Sequence, residues 1–216
     1  MRIGILGATG PAGGGLAARL ASVGHEVLFG SRSVEKAEHA VAELQEKWGD
    51  KVANLHPCDN EGACDAPVVI LAVHADSVIP TVQEHAEHLQ NKVVVSMANN
   101  LVKNGNEFNA VLPPHGSVAA EIQALLWRSR VCTAFHLVPA AEFAALEYVM
   151  ESDVVVLGED DAKATVMDII TSIPDLRPLD GGSIRNAVGM ETFAAVLLTV
   201  NVRHKMRASL RLTTVR

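Results

Sequence analysis

The residues best suited to hold a charged ligand lie near the start of the chain, in Gly7-Ala8-Thr9-Gly10-Pro11-Ala12-Gly13-Gly14-Gly15. Glycines let the backbone turn sharply and approach an anion closely. A helix beginning just after such a turn offers free N–H groups and the positive end of its dipole. Pro11 at the first helical position loses nothing, because its missing N–H had no intrahelical partner. The spacing is G-x-x-G-x-x-G, with Ala8 where a stricter fingerprint carries glycine. Gly7, Thr9, Gly10, Pro11, Ala12 and Gly13 are expected to cradle a dinucleotide pyrophosphate. An ordinary strand-to-helix turn would use glycines too. The ligand reading is favoured because helix and second strand, Glu26–Gly30, follow in the order of a first βαβ unit.

The end of that second strand selects the dinucleotide. A site for NAD places a carboxylate there to hold the ribose 2′-hydroxyl. Here the strand ends in Gly30-Ser31-Arg32, with Lys36 four residues on, and Glu26 sits at the wrong end. Arg32 suits a two-pronged contact to a 2′-phosphate, Lys36 adds a point charge and Ser31 a hydroxyl. NADP(H) is the expected cofactor.

Other chemistry is thinner. His136 is the candidate catalytic residue, since histidine is the usual near-neutral proton donor; the alternative is a hydrogen-bonded histidine at a strand end. His74 reads as an exposed loop residue, and His85 and His88 as a solvent-facing pair on a helix. Cys58, Cys64 and Cys132 fit neither a disulfide framework nor a C-x-x-C metal site. The single tyrosine, Tyr148, has Ser152 rather than lysine four residues on, against a short-chain dehydrogenase. No H-E-x-x-H or G-x-S-x-G occurs. What remains is chemistry in which the protein positions two redox partners.

Alternating elements must carry these residues. Arg2–Leu6, Glu26–Gly30, Val68–Val73, Lys92–Ser96, Val131–Phe135, Asp153–Gly158 and Leu176–Leu179 read as buried strands. Pro11–Gly24, Val34–Trp48, Ser77–Gln90, Ser117–Leu126 and Asp160–Ile173 read as helices, with Ser33 an N-cap and Gly24 a stop. Such alternation predicts an α/β, Rossmann-type fold: a mainly parallel sheet with helices on both faces. The polar, Pro/Gly-bearing stretch Asn99–Ser117 reads as a long loop. Asn186–Val200 reads as an apolar helix buried on several sides, against the sheet domain or a second subunit. The expected division is residues 1–180 as the NADP-binding domain and 181–216 as a helical extension with a basic tail.

The 216 residues are 49% hydrophobic and 20% charged, with a net charge of −7. That balance excludes a disordered chain and argues against a general nucleic-acid binder. Only 4% are aromatic, which also disfavours a base-stacking surface. No apolar run approaches the ~20 residues that span a bilayer, and no signal-like segment opens the chain, so a cytoplasmic protein is expected. The charge is uneven. Residues 182–216 hold six basic side chains against one acid, a net +5, which leaves −12 for the remainder. An anionic partner at the basic end is expected.

Beyond the glycine turn, several segments are similar to the F420-dependent NADP reductases (NADPH:F420 oxidoreductases). They are Gly24-His25-Glu26-Val27, Gly30-Ser31-Arg32, Glu35-Lys36-Ala37, Ala134-Phe135-His136-Leu137-Val138-Pro139-Ala140, Leu176-Arg177-Pro178-Leu179-Asp180 and the run Asn201–Thr213. The resemblance implies hydride transfer between C4 of a nicotinamide and C5 of a deazaflavin, in a homodimer. Its site would lie at the strand ends Val73-His74, Met97-Ala98-Asn99 and His136–Pro139. Val73, His74, Ala98, Asn99 and Pro139 thereby join the expected site. The co-substrate, coenzyme F420, carries a phosphate and a glutamate-rich extension, which Arg207 and Arg211 of the basic tail would neutralise. The sequence departs from the family at Ala8 and at His74-Ala75-Asp76-Ser77, where relatives often carry proline, an aromatic residue and acids. Another NADPH-dependent reductase (of a flavin, an imine or a metal chelate) and an NADP(H)-sensing regulator are the alternatives.

Overall fold

The computed structural model of the chain describes residues 1–214. Its first half is β1 (Arg2–Leu6), α1 (Pro11–Ser22), β2 (Glu26–Ser31), α2 (Val34–Trp48), β3 (Leu55–Asp59), α3 (Asn60–Ala63), β4 (Val68–Leu71), α4 (Ala75–Glu84), α5 (Ala86–Leu89) and β5 (Val93–Ser96). A hairpin of β6 (Leu101–Asn104) and β7 (Glu107–Ala110) follows. Then come α6 (Val118–Leu125), β8 (Arg130–Thr133), α7 (Ala140–Phe143), β9 (Ser152–Val156), α8 (Asp160–Thr171), β10 (Leu176–Asp180) and α9 (Ala187–His204). Six strands form one sheet in the order β3-β2-β1-β4-β5-β8, and every pairing in it is parallel. The order reverses between β1 and β4, so the crevice at their carboxyl ends is where such a sheet binds ligands.

The apolar runs become strands because both faces of the sheet are covered. Ile3, Ile5, Val27, Phe29, Val68 and Ile70 pack under α1 and α2, whereas Leu6, Leu28, Val69, Leu71 and Val94 face α4 and α6. β9 and β10 form a separate parallel pair, joined to the main sheet by an antiparallel bridge between Thr133 and Leu157. Ser33 caps α2 by accepting from Lys36 N, and Gly24 ends the first helical unit at a φ of 90°.

Several expectations are corrected. β4 stops at Leu71 and β8 at Thr133, so Ala72–His74 and Ala134–Pro139 are free to form loops. β3 escapes the pattern because His56, Pro57 and Asp59 interrupt its apolar run, which an edge strand tolerates. The long loop contains the β6–β7 hairpin, stabilised by α9 rather than by its own polar sequence: Phe108 N donates to Thr199 Oγ1 at 2.9 Å. The Ser77–Gln90 helix starts at Ala75 and breaks at His85, which is buried rather than solvent-facing. α9 runs to His204 and so includes Arg203. It buries only Ala187, Glu191, Ala194 and Ala195, leaving Phe193, Val196, Leu198 and Val200 exposed. Apolar composition alone cannot tell these two environments apart. Arg216, counted in the basic tail, lies outside the described residues. No helix among the described residues is long and apolar enough to cross a membrane.

Candidate dinucleotide cleft and strand-end pocket

β1 delivers the chain into the turn at Gly7, whose φ is 76°. A Cβ there would lie 2.5 Å from Val73 Cγ1, so only glycine lets the β1 and β4 loops touch. Gly13 is held to its size for another reason: a Cβ would come within 2.9 Å of the Ala8 Cα, where α1 crosses the strand. Ala8 itself is fully buried, so its methyl points into the core and away from the ligand side. The missing middle glycine therefore does not obstruct the cleft. α1 starts at Gly10 with Pro11 in its first turn and no side-chain cap, which leaves its leading N–H groups for an anion. Asn60, not anticipated from the sequence, steadies the turn by accepting from Gly7 N at 3.2 Å.

A cleft of about 760 Å³ opens above this turn. It is lined by Gly7, Thr9, Gly10, Ser31, Arg32, Lys36, Val73 and His74, together with Asn60, Ala72, Asp76, Ser77 and Thr81. Ser31 is buried at the end of β2, with its hydroxyl accepting from Ser33 N at 3.3 Å, while Arg32 and Lys36 are exposed. Neither cation has an ion-pair partner among the described residues. Glu26, by contrast, is occupied by Arg2 at 3.1 Å at the other end of its strand. Neither Ser31 nor Arg32 at the end of β2 is an acid, and Glu35, the carboxylate of the following turn, accepts from Ser33 Oγ. His74 meets Asp76 at 3.0 Å, and hydrogen bonds from Ser77 and His74 lower the Asp76 carboxyl.

Ala98, Asn99, His136 and Pro139 lie outside that cleft wall and form a second group. Ala98 N donates to Ser96 Oγ at 3.3 Å, and Asn99 Nδ2 donates to the His136 carbonyl at 2.9 Å, tying the ends of β5 and β8 together. Phe135 adopts a φ of 64°, strained for a bulky residue, and this turn aims His136 inward. His136 is only 8% exposed. Its two ring nitrogens and Asn99 Oδ1 are buried without hydrogen-bond partners among the described residues. Burial pushes the His136 imidazole down to about 4, against the opposing influence of the Met97 and Ala98 backbone. The near-neutral proton donor expected at this position is thus a neutral ring. Three unpaired buried polar atoms at a strand end fit a flat ligand with its own donors and acceptors.

Beside them is a cavity of about 60 Å³, bounded by His136–Pro139 on one side and Ala194, Leu197, Leu198, Asn201 and Ala208 on the other. The segment that follows the first wall, Glu142–Tyr148, is held by Arg19, buried on α1. Its Nε donates to the Phe143 carbonyl at 2.7 Å, and its Nη2 to those of Glu142, Ala145 and Tyr148 at 2.9, 2.7 and 3.0 Å. Its sequence signal was faint: Arg19 stands four residues after Gly15, where a Cβ would press on Ala144 at 3.0–3.1 Å from its Cα and Cβ. The basic tail is not a loose cationic end. Arg203 pairs with Glu107 at 2.7 Å, Arg207 with Glu142 at 2.6 Å and Arg211 with buried Asp153 at 3.4 Å.

The parallel sheet, the glycine turn and the corner of Ser31, Arg32 and Lys36 define a Rossmann-fold nucleotide-binding protein of the NADP type. The model of the family described as NADP oxidoreductase, coenzyme F420-dependent, matches residues 2–100. The F420-dependent NADP reductase of Methanocaldococcus jannaschii is 33% identical over 97% of this chain and 96% of its own length. That of Methanothermobacter marburgensis is 29% identical over 99% of this chain and 98% of its own. A crystal structure from Arthrobacter sp. FB24, provisionally assigned to the same activity, superposes with a TM-score of 0.80 at 25% identity, covering 95% of each chain. An imine reductase from Streptomyces aurantiacus shares the fold, with a TM-score of 0.60 at 17% identity over 94% of this chain and 61% of its own. The chain belongs to the F420-dependent NADP reductase family.

Proposed function

We propose that this chain is an oxidoreductase that transfers a hydride between NADP(H) and coenzyme F420. The observation that carries the reading is the corner made by Ser31, Arg32 and Lys36 on the same cleft as the Gly7–Gly13 turn. In this reading the α1 N-terminus and Thr9 hold the pyrophosphate, with Pro11, Ala12 and Gly13 shaping the helix start. Arg32 and Lys36 hold the 2′-phosphate, and Val73, His74, Ala98 and Asn99 bound the nicotinamide end. Pro139 and His136 face the deazaflavin. The nicotinamide and deazaflavin supply the redox chemistry when bound, with the hydride passing between C4 of one ring and C5 of the other.

The protein contributes position and dryness. Small and apolar walls at Ala98, Leu137 and Val138 exclude water from the ring contact. His136, neutral across the physiological range, offers one donor and one acceptor to ring polar groups. The proton that F420 reduction consumes comes from solvent. Residues 1–180 supply the NADP site, and 181–216 supply the far wall of the second pocket. The exposed stripe Phe193, Val196 and Val200 on α9 recurs at helical spacing and suits a two-fold contact with a second copy. A cytoplasmic setting agrees with three free cysteines.

The test is direct. Mixing the purified protein with NADPH and oxidised F420 should bleach the deazaflavin absorbance. Bleaching of a flavin but not of F420 would replace the acceptor, and no turnover with either would remove the reading.

A further inference from the structure

The 60 Å³ cavity is too small for a tricyclic ring, since pockets that enclose ligands of that size run to roughly 300–1,000 Å³. One of its walls must therefore move to admit a deazaflavin. The His136–Pro139 wall leads into the Glu142–Tyr148 segment that the four carbonyl contacts of Arg19 hold. The opposite wall includes the tail that follows α9. This tail is anchored at both ends. Ala208 N donates to Asn201 Oδ1 at 2.8 Å on α9, and Leu212 N donates to Asp153 Oδ2 at 2.6 Å on β9.

The two tail arginines expected to meet an anion now separate. Asp153 is wholly buried and takes a bidentate contact from Arg177, at 2.8 and 2.7 Å, in addition to Arg211. Arg211 is therefore committed to an anchor. Arg207, next to the wall residue Ala208, is 64% exposed at the side chain, and its partner at 2.6 Å is Glu142 on α7, just beyond the His136–Pro139 wall. Only one Glu142 oxygen is used; Oε2 is buried without a partner among the described residues. Arg207 reaches this pair from solvent while Glu142 is only 18% exposed, so the pair opens more readily than the buried Asp153 group but leaves a largely buried carboxylate behind.

We propose that the Glu142–Arg207 pair is a clasp across the second-substrate pocket. Glu142 is an internal carboxylate that Arg207 exchanges for the acidic extension of the incoming deazaflavin coenzyme. The proposal rests on the F420 reading and adds to it a gate and one named cation. Opening the clasp costs every deazaflavin the same amount, but only a substrate carrying phosphate and glutamates recovers Arg207 as a partner.

Fluorescence titrations of the NADP-saturated protein, at low salt, with F420 and with the deazaflavin riboside lacking phosphate and glutamates, separate these effects. Glu142→Gln should lower the Kd of both ligands at least about twofold, because it removes the ion pair that opening has to break. Arg207→Gln should lower the riboside Kd by the same factor while abolishing most of the preference for F420. Tryptic cleavage after Arg207 in the ligand-free protein should be faster in Glu142→Gln than in wild type, a readout independent of any ligand. Unchanged Kd values and cleavage in Glu142→Gln, or an unaltered F420 preference in Arg207→Gln, would overturn the clasp. A wild-type protein that binds neither deazaflavin, yet is cut faster when Glu142 is replaced, would keep the clasp and overturn the F420 reading.

Discussion

His136 shows what burial does to a residue that looks catalytic. In the unfolded chain its pKa is that of a free histidine, near 6.5; in the fold it is about 4. The folded form therefore binds fewer protons than the unfolded one at every pH between these values. Its stabilising contribution is complete above pH 6.5 and is lost as the pH falls from 6.5 towards 4. At pH 5 this loss is about 2 kcal/mol, from the 1.4 kcal/mol attached to each pKa unit. Denaturant unfolding at pH 7.5 and pH 5 should show a drop that His136→Gln reduces by about that amount. An equal drop in both proteins would mean that the ring is solvated and titrates normally.

At the scale of elements, α1 has two jobs, and Arg19 joins them. Its N-terminus faces the cleft, while its buried guanidinium holds the Glu142–Tyr148 backbone that supports the second pocket. Burial lowers the Arg19 pKa, as desolvation disfavours the charged form. Replacing it with methionine should leave four carbonyls without their donor and cost about 2–4 kcal/mol of stability, measured by denaturant unfolding. It should also raise the KM for F420 more than that for NADPH, because the phosphate turn lies at the opposite end of the helix. Equal changes in both KM values would contradict this division.

The same helix illustrates what was legible in the sequence. Gly7, Gly10 and Gly13 declare the turn because few other residues permit it, and Arg32 with Lys36 declares the corner because β2 itself ends in Ser31 rather than an acid. Arg19 was hidden because its partners are backbone carbonyls, which leave no trace in residue types. The β6–β7 hairpin was missed for a related reason. Its polar strands depend on α9, 91 residues away, through Thr199 and Phe108. The roles of Glu142 and Asp153 are hidden in the same way, since the tail arginines that pair with them lie 65 and 58 residues further along the chain.

Across the whole molecule, the charge division of the sequence resolves into internal pairing rather than a free basic arm. Arg203, Arg207 and Arg211 each find an acid elsewhere in the chain. An exposed apolar surface also remains. The α9 stripe, with Val196 at 55% exposure, places a hydrophobic face beside the second pocket. If this face joins two copies, Val196→Glu should convert a dimer to a monomer in sedimentation equilibrium, because a charge buried in an interface without a partner is costly. Retention of the wild-type mass would assign the stripe no role in assembly.

The account stands most directly on Arg32. In the F420 bleaching assay, the kcat/KM for NADPH should fall roughly 10- to 100-fold in Arg32→Asp, the range expected for loss of charge-assisted bonds to a 2′-phosphate. The kcat/KM for NADH should stay the same or rise, since the new carboxylate suits a ribose hydroxyl. Equal losses with both dinucleotides would contradict the account, because the corner at the end of β2 would then not be reading the phosphate.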